Sequence, residues 1–142
     1  MGPDISNGTT TAFGGMVSLD ASGHRLAVSD RTHSNGYGYI EVYDYDSGTN
    51  SWNIVGSRID APIASSYFGQ TVKISGDGST VVVGAYHYNS NQGYIVVYKY
   101  DSGTNSWTQL GSTFYGTGQS RLGLKAVAIN YDGSIVAMGE YG

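Results

Sequence analysis

Apolar and polar residues alternate with a period of two in short stretches of this chain. Residues 68–75 (Phe-Gly-Gln-Thr-Val-Lys-Ile-Ser) show this alternation, and so do residues 13–20. A period of two predicts a β-strand that buries one face. Asp77-Gly78 comes next, a pair that favours a tight hairpin turn with positive φ. The following run, Val81-Val82-Val83, is apolar on both faces, so we expect it inside a sheet.

Two further strands are predicted after a polar loop at residues 85–93. Residues 94–100 are rich in β-branched and aromatic side chains, which favour strands. Asp, Ser, Gly and Asn occupy most of residues 101–106, and these residue types suit tight turns. Residues 107–111 form a more polar fourth strand, which we expect at the outer edge of the sheet.

The same series of strands recurs along the chain. Eight consecutive residues, Tyr-Asp-Ser-Gly-Thr-Asn-Ser-Trp, stand unchanged at 45–52 and at 100–107. Repetition of this kind indicates a tandem array. The third copy has Gly123-Leu124 in place of Phe-Gly or, with a one-residue slip, Leu122-Gly123. We divide the chain into a connector-like segment at 1–12, a first repeat at 13–67, a second repeat at 68–122, and the first two strands of a third repeat at 123–142.

The strand pattern predicts an all-β fold. No stretch shows sustained helical spacing, and 22 glycines against 2 prolines suit a chain of turns and strands. Four-stranded antiparallel repeats with buried faces on both sides predict a β-propeller of about two and a half 55-residue blades. A β-solenoid is the alternative, but its coils are usually shorter, about 20–30 residues.

Two families resemble these repeats. Residues 68–85, from Phe68-Gly69 to the Val-Val-Val-Gly-Ala run, are similar to the FG-GAP repeat of integrin alpha-subunit propellers. Residues 94–107, with their tyrosines, polar turn and tryptophan, are also similar to the kelch repeat. The resemblance covers nearly all of residues 13–142. It implies a propeller whose loops contact a protein or a glycan.

A closed propeller needs about four to eight blades, so two and a half leave apolar faces without neighbours. We expect either that further repeats flank the sequence in a longer chain or that copies self-associate through those faces.

Composition narrows the classes of partner. The net charge is −4, and the 7 lysines and arginines are spread along the chain, which argues against nucleic acid. No apolar run reaches transmembrane length, so we expect no membrane insertion. Cysteine is absent, which excludes disulfides and thiolate metal sites. A charged fraction of only 13%, with many Gly, Ser, Thr, Asn and Tyr, suits an extracellular or cell-surface protein, and Asn7 is a candidate N-glycosylation site.

The resemblance to integrin repeats suggests a calcium site, but the acidic turns of this chain have too few carboxylates to bind calcium. The segment 44–50 has calcium-loop-like spacing, yet its copy replaces Asp44 with Lys99 and keeps the rest of the turn. Asx-turn chemistry explains this conservation within the chain without an ion. We therefore predict no metal and no cofactor.

The sequence also gives little support for a catalytic site. The three histidines, His24, His33 and His87, do not recur between repeats and have no acid or second histidine at ligand spacing. Asp30 and Glu140 both follow a second strand, but the middle copy has Ala85 there, which does not support a two-carboxylate hydrolase. We predict that the protein is not an enzyme, although a fragment of one, with its catalytic residues elsewhere, is a third alternative.

The aromatic residues fall into two groups. Those that recur at fixed places are expected to pack between repeats, with tyrosine hydroxyls bonded at the rim: Tyr39, Tyr43, Tyr45 and Trp52, with Tyr94, Tyr98, Tyr100 and Trp107. Tyr37, Tyr86 and Tyr88 lie in the loops after the second strands and do not repeat in register. Loops vary while a scaffold stays constant. We predict a ligand site at Tyr86, His87, Tyr88 and Asn89, the simpler alternative being a solvated loop.

These observations predict a non-enzymatic extracellular propeller module that binds or adheres to a protein or glycan. The alternative is a structural repeat protein that self-assembles into a ring or filament through open faces and strand edges.

Overall fold

The chain folds into antiparallel β-sheets that follow one another along the sequence. The computed structural model describes residues 3–6, 8 and 12–141. Across this part of the chain there are two five-stranded sheets and one two-stranded sheet. The helical segments described are two single turns, α1 (His33–Gly36) and α2 (Tyr88–Asn91). The predicted all-β class is confirmed.

The first sheet is an antiparallel meander with a short additional strand. Its strands are ordered β1-β2-β3-β4, and β5 pairs with the beginning of β3. The bounds are β1 (Phe13–Leu19), β2 (Arg25–Asp30), β3 (Tyr39–Asp46), β4 (Ser51–Ile54) and β5 (Ile59–Asp60).

The second sheet has the same connectivity, and the third has two strands. In the second sheet β7 lies between β6 and β8, while β9 and β10 both pair with β8. The bounds are β6 (Thr71–Ile74), β7 (Thr80–Ala85), β8 (Tyr94–Asp101), β9 (Ser106–Gln109) and β10 (Phe114–Tyr115), followed by β11 (Val127–Ile129) and β12 (Val136–Met138).

The predicted positions of the strands within each sheet are confirmed. Every residue of β7 is buried, and both β2 and β7 lie inside their sheets. β4 and β9 lie at the outer edges, as their polar character predicts. The strands β5 and β10 were not predicted. After the fourth strand the chain turns at Gly56 (φ 72°) or Gly111 (φ 73°) and returns to the same side of the third strand.

The turns between first and second strands differ in detail from the expected two-residue hairpin. In each turn only the glycine has positive φ, at 71° for both Gly78 and Gly133. The amide of Gly78 donates to the carbonyl of Ser75 (3.0 Å), and Ser75 closes the loop by pairing with Thr80 (2.8 Å). A six-residue turn of this kind needs one left-handed residue, which glycine supplies without steric cost.

The third repeat begins on Leu122-Gly123 rather than on Gly123-Leu124. Gly123 has φ 84°, close to the 91° of Gly69, and its backbone lies against the second sheet as that of Gly69 lies against the first. Leu122 is buried, like Phe68. The amide of Leu122 donates to the carbonyl of Gln92 (3.1 Å), as Phe68 donates to that of Tyr37 (3.3 Å). A one-residue slip therefore separates the third repeat from the first two.

Two apolar cores hold the sheets together, and the second sheet contributes to both. Val81 and Val83 belong to the core shared with the first sheet, whereas Val82 belongs to the core shared with the third. Because successive strand residues point to opposite faces, an all-apolar strand such as β7 can join two neighbouring sheets at once.

The eight-residue turn segment connects the second sheet to the first. The Trp107 indole donates to the carbonyl of Val55 (2.9 Å), and the Asn105 side chain accepts from the amide of Gly56 (3.0 Å). The Tyr100 hydroxyl donates to the same Asn105 oxygen (2.8 Å). These contacts confirm the predicted packing role of Tyr100 and Trp107 between repeats.

Arg25 adds a polar contact between the first two sheets. Its guanidinium binds both carboxylate oxygens of Asp44 (2.6 and 2.7 Å) and donates to the carbonyl of Gly78 (3.1 Å). It also lies over the ring of Tyr100, 5.1 Å from the ring centre. Within the described residues, α1 and α2 have four residues each and are too short to span a membrane.

Candidate functional site

The loops after the second strands lie at one end of the sheets and contain left-handed turns. Ser34 and Asn35 have φ of 49° and 60°, and the corresponding Asn89 and Ser90 have φ of 45° and 57°. Asparagine tolerates this region because its short side chain can bond locally. The backbone conformation of this loop is therefore the same in both repeats, although the side chains differ.

A connecting segment lies between these two loops. The amide of Tyr67 donates to the carbonyl of Gly36 in the first loop (2.8 Å). On the other side, the amide of His87 donates to the carbonyl of Ser66 (3.3 Å). Tyr67 itself has φ 55°, an uncommon conformation for a bulky residue. The connector is thus held on both sides, and it carries the Tyr67 ring to the second loop.

Three rings meet at this place and form what we call the loop-end aromatic cluster: Tyr67, Tyr86 and His87. The rings of Tyr67 and Tyr86 are stacked, with centres 5.8 Å apart. His87 packs edge-on against Tyr67 at 5.2 Å and against Tyr86 at 5.8 Å. The two tyrosines are half-buried and His87 is exposed. The cluster therefore places two half-buried tyrosine rings and an exposed imidazole side by side at the loop end.

The structure brings only two of the four predicted site residues into the cluster. Tyr86 and His87 belong to the cluster, but the Tyr88 ring turns toward Tyr94 (5.6 Å) and Tyr115 (5.4 Å) and packs against the core. Burial raises the pKa of Tyr94 to about 12. The Asn89 side chain donates to that of Gln92 (2.8 Å) within its own loop. Tyr88 thus has a packing role, and Asn89 stabilises the turn.

Tyr67 is the cluster residue that the sequence does not point to. It lies in the connector, 19 positions before Tyr86, and its counterpart in the first repeat is Ala12. Neither periodicity nor a repeated motif singles it out. Its proximity to the second loop results from the packing of the connector between loops.

A cleft of about 320 Å³ opens beside the first loop, and we call it the Arg58 cleft after one of its lining residues. Arg58 forms an ion pair with Asp60 (2.8 Å) and lies over the ring of Tyr39 at 4.6 Å. His33 packs edge-on against the same ring at 4.9 Å. The lining is completed by Ser34, Tyr37, Gly38 and Ala61. The sequence did not predict Arg58 or Asp60, since the second repeat has Thr113 and Tyr115 in their places.

The acidic turns bind their own backbone and hydroxyl groups. The carboxylate of Asp46 accepts from the amide of Gly48 (2.8 Å), and that of Asp101 accepts from Gly103 (2.9 Å). These are the Asx turns predicted for the eight-residue segment. Hydrogen bonds from the hydroxyl and amide of Ser134 lower the pKa of Asp132. Among the described residues, no group of three or more His, Asp or Glu side chains is placed to hold a metal ion.

The remaining candidates are separated from one another. Asp30 is buried and accepts from the amides of Thr32 (3.2 Å) and His33 (3.1 Å), which shapes the first loop. Glu140 is exposed and binds the amide and hydroxyl of Thr117 (both 2.7 Å). Each carboxylate thus orders a different loop. Asn7, the candidate glycosylation site, lies outside the described residues.

No protein-family model matches this chain, and no curated protein matches it.

Proposed function

We propose that this chain is part of a β-propeller-type, non-enzymatic binding module whose loop end recognises a glycan. The arrangement of the sheets supports the propeller. The first strands lie side by side, β1 against β6 and β6 against β11, while the fourth strands β4 and β9 are at the outer edges. Sheets stacked face to face with their first strands innermost are typical of propeller blades.

The observation that carries the proposed ligand class is the loop-end aromatic cluster. Tyrosine rings offer a large apolar face and a polar hydroxyl, so they bind partners that are apolar in one part and polar in another. A sugar ring has this character, with C–H faces and hydroxyl edges. His87, exposed at the margin, supplies a ring nitrogen for hydrogen bonding.

The Arg58 cleft lies at the same end of the sheets and extends the proposed surface. Its Arg58, Asp60 and His33 side chains offer charged and neutral hydrogen-bonding groups to hydroxyls or carboxylates. Binding sites are commonly built from a few polar groups on an aromatic and apolar lining. We therefore expect an extended glycan that contacts both the cleft and the cluster. The low charge and the abundance of polar uncharged residues support an extracellular location for this activity.

A glycan array followed by calorimetric titration tests the proposal. We expect Tyr67→Ala and Tyr86→Ala each to weaken binding of the selected glycan by about tenfold, because each removes an aromatic ring from the proposed surface. Tyr131→Ala is the matched control, since Tyr131 is 68% exposed in the turn at the opposite end of the sheets. The Tyr131→Ala variant should bind the glycan with the same affinity as the unmodified chain.

Two outcomes would contradict the glycan assignment. One is the absence of any glycan that binds, together with a protein ligand whose affinity depends on the same tyrosines. The other is a bound glycan whose affinity does not change in the Tyr67 and Tyr86 variants, which would place its site elsewhere.

A further inference from the structure

Two apolar side chains of the second repeat are exposed where their counterparts are buried. Val55 and Ile59 of the first repeat are each 7% exposed. The residues in the same places of the second repeat, Leu110 and Phe114, are each 48% exposed. The difference does not come from the residue types, which are apolar in both repeats. The difference in exposure arises because a neighbouring part of the chain covers the first pair.

The cover over the first pair is the β8–β9 hairpin of the next sheet. Tyr98, Tyr100 and Trp107 of that hairpin pack in the same apolar core as Val55 and Ile59. The Trp107 indole and the Asn105 side chain then bind the backbone at Val55 and Gly56. The contact is therefore specific, with one donor and one acceptor placed beside an apolar face.

The equivalent groups of the second repeat have no such cover among the described residues. A cleft of about 310 Å³ is lined by Val97, Leu110 and Phe114 on one side and by Val136 and Met138 on the other. The carbonyl of Leu110 and the amide of Gly111 occupy the positions that bind tryptophan and asparagine in the first repeat.

A free strand edge lies beside this cleft. Within the described part of the chain, β12 pairs only with β11, whereas its counterpart β7 pairs on both sides, with β6 and β8. An unpaired edge presents a row of backbone donors and acceptors to an incoming strand. In the second sheet Val81 is opposite Tyr98 and Val83 is opposite Val96. The same register would place an incoming tyrosine opposite Val136.

We propose that the edge of β12 and the Val97–Leu110–Phe114 face together form a docking site for a β-hairpin with the sequence character of β8–β9. The first strand of the hairpin adds to β12, and its second strand carries an Asn-Ser-Trp end that binds Leu110 and Gly111. Strand addition supplies main-chain hydrogen bonds, and the pocket selects the side chains. The interface continues the one already present between the first two sheets.

A folded second copy of this chain cannot supply this hairpin from its own third and fourth strands. Its own β3 and β8 strands are already paired on both sides. Neither can add to β12 without leaving its sheet. The docking site therefore requires a hairpin whose first strand has a free edge.

A labelled synthetic peptide spanning residues 92–111 is the probe. Fluorescence anisotropy should show saturable binding to the intact chain, and hydrogen exchange should slow at residues 135–140, where the new strand pairs. A peptide carrying Trp107→Ala should bind about tenfold more weakly, because it lacks the indole donor and its apolar ring. The chain variant Leu110→Glu should lose binding by at least the same factor.

Leu19→Glu is the matched control in the chain. Leu19 is 54% exposed on the first sheet, so this variant introduces the same charge at a similar exposure away from the proposed site. It should bind the peptide like the unmodified chain. Circular dichroism of both variants checks that they remain folded.

The proposal is overturned if the peptide does not bind, or if Leu110→Glu and Leu19→Glu bind it equally. It is also overturned if the chain alone forms dimers that Leu110→Glu abolishes, because the face would then belong to a second copy. None of these results depends on glycan binding, since the loop end lies outside the docking face.

Discussion

The two tryptophans of this chain follow identical residues in sequence but have different surroundings in space. Each follows Tyr-Asp-Ser-Gly-Thr-Asn-Ser, and each ring packs against the first tyrosine of that segment at 5.2 Å. The Trp107 indole donates to Val55, but the Trp52 indole has no acceptor among the described residues. The segment therefore forms a local turn wherever it occurs, and it connects sheets only where a neighbouring sheet is present.

This difference predicts unequal effects of one conservative substitution. Trp107→Phe should lower the free energy of unfolding by about 1–2 kcal/mol, because it removes a hydrogen bond and leaves the Val55 carbonyl without its donor. Trp52→Phe is the matched control and should change the free energy of unfolding by no more than about 0.5 kcal/mol. Urea unfolding followed by circular dichroism measures both values. Equal losses would show that the indole hydrogen bond does not contribute to the stability of the interface.

The loop residues show how far local patterns predict a site. The sequence points to Tyr86 and His87 because they lie in a polar loop whose residues do not repeat in register, and the structure places their rings together. Tyr88 follows the same pattern, but its ring joins the core beside Tyr94. The direction of a side chain in a left-handed turn depends on backbone angles that the residue types alone do not specify.

At the level of elements, the close approach of glycine backbone sets the spacing between sheets. A Cβ at Gly123 would lie 2.8 Å from the Cα of Gly84 and 2.8 Å from the amide nitrogen of Ala85. Gly69 makes a similar approach to the first sheet. Substitution at Gly123 would push neighbouring sheets apart, because the clash there is with backbone rather than with flexible side-chain ends.

A comparison of two glycines with positive φ distinguishes the cost of the steric clash from the cost of a left-handed backbone. Gly123→Ala should destabilise the chain by at least about 3 kcal/mol, since it adds the clash to the cost of a left-handed alanine. Gly118 has φ 54°, and no atom lies within 4 Å of the place an alanine Cβ would take, so Gly118→Ala should cost only about 1 kcal/mol. Thermal and urea unfolding of both variants give the comparison. Similar losses would rule out steric contact as the main effect.

The short strands β5 and β10 show what element prediction misses. Each has two residues, too few for a hydrophobic period to be seen. They form because the connector is held against the neighbouring loop, which brings it beside the first residues of β3 or β8. Their pairing is a consequence of tertiary packing.

For the molecule as a whole, burial is concentrated in the middle sheet. β7 is buried along its whole length and lies between two paired strands. β12 has three residues, none of them fully buried, and one pairing partner among the described strands. A repeat array derives its stability from neighbouring contacts, so sheets with fewer neighbours open more easily.

Hydrogen exchange followed by mass spectrometry should resolve this gradient. We expect the slowest exchange in residues 80–85 and 94–98, and exchange at least about tenfold faster in residues 136–138, because the third sheet can open without disrupting the second. Residues of the first sheet should exchange at an intermediate rate. Uniform exchange across all three sheets would indicate that the chain opens only as a single unit.

The sequence by itself determined the longer strands, their order and the positions of the turns between them, because these depend on periods of two, on β-branched runs and on glycine or asparagine at tight turns. It also identified the eight-residue segment as a structural turn, and Lys99 in place of Asp44 was sufficient to show that. Only the tertiary structure decided which Leu-Gly alignment begins the third repeat, that Tyr67 joins Tyr86 and His87, and that Leu110 and Phe114 lack the cover present over Val55 and Ile59. These features depend on contacts between residues far apart in the chain, which local patterns do not encode.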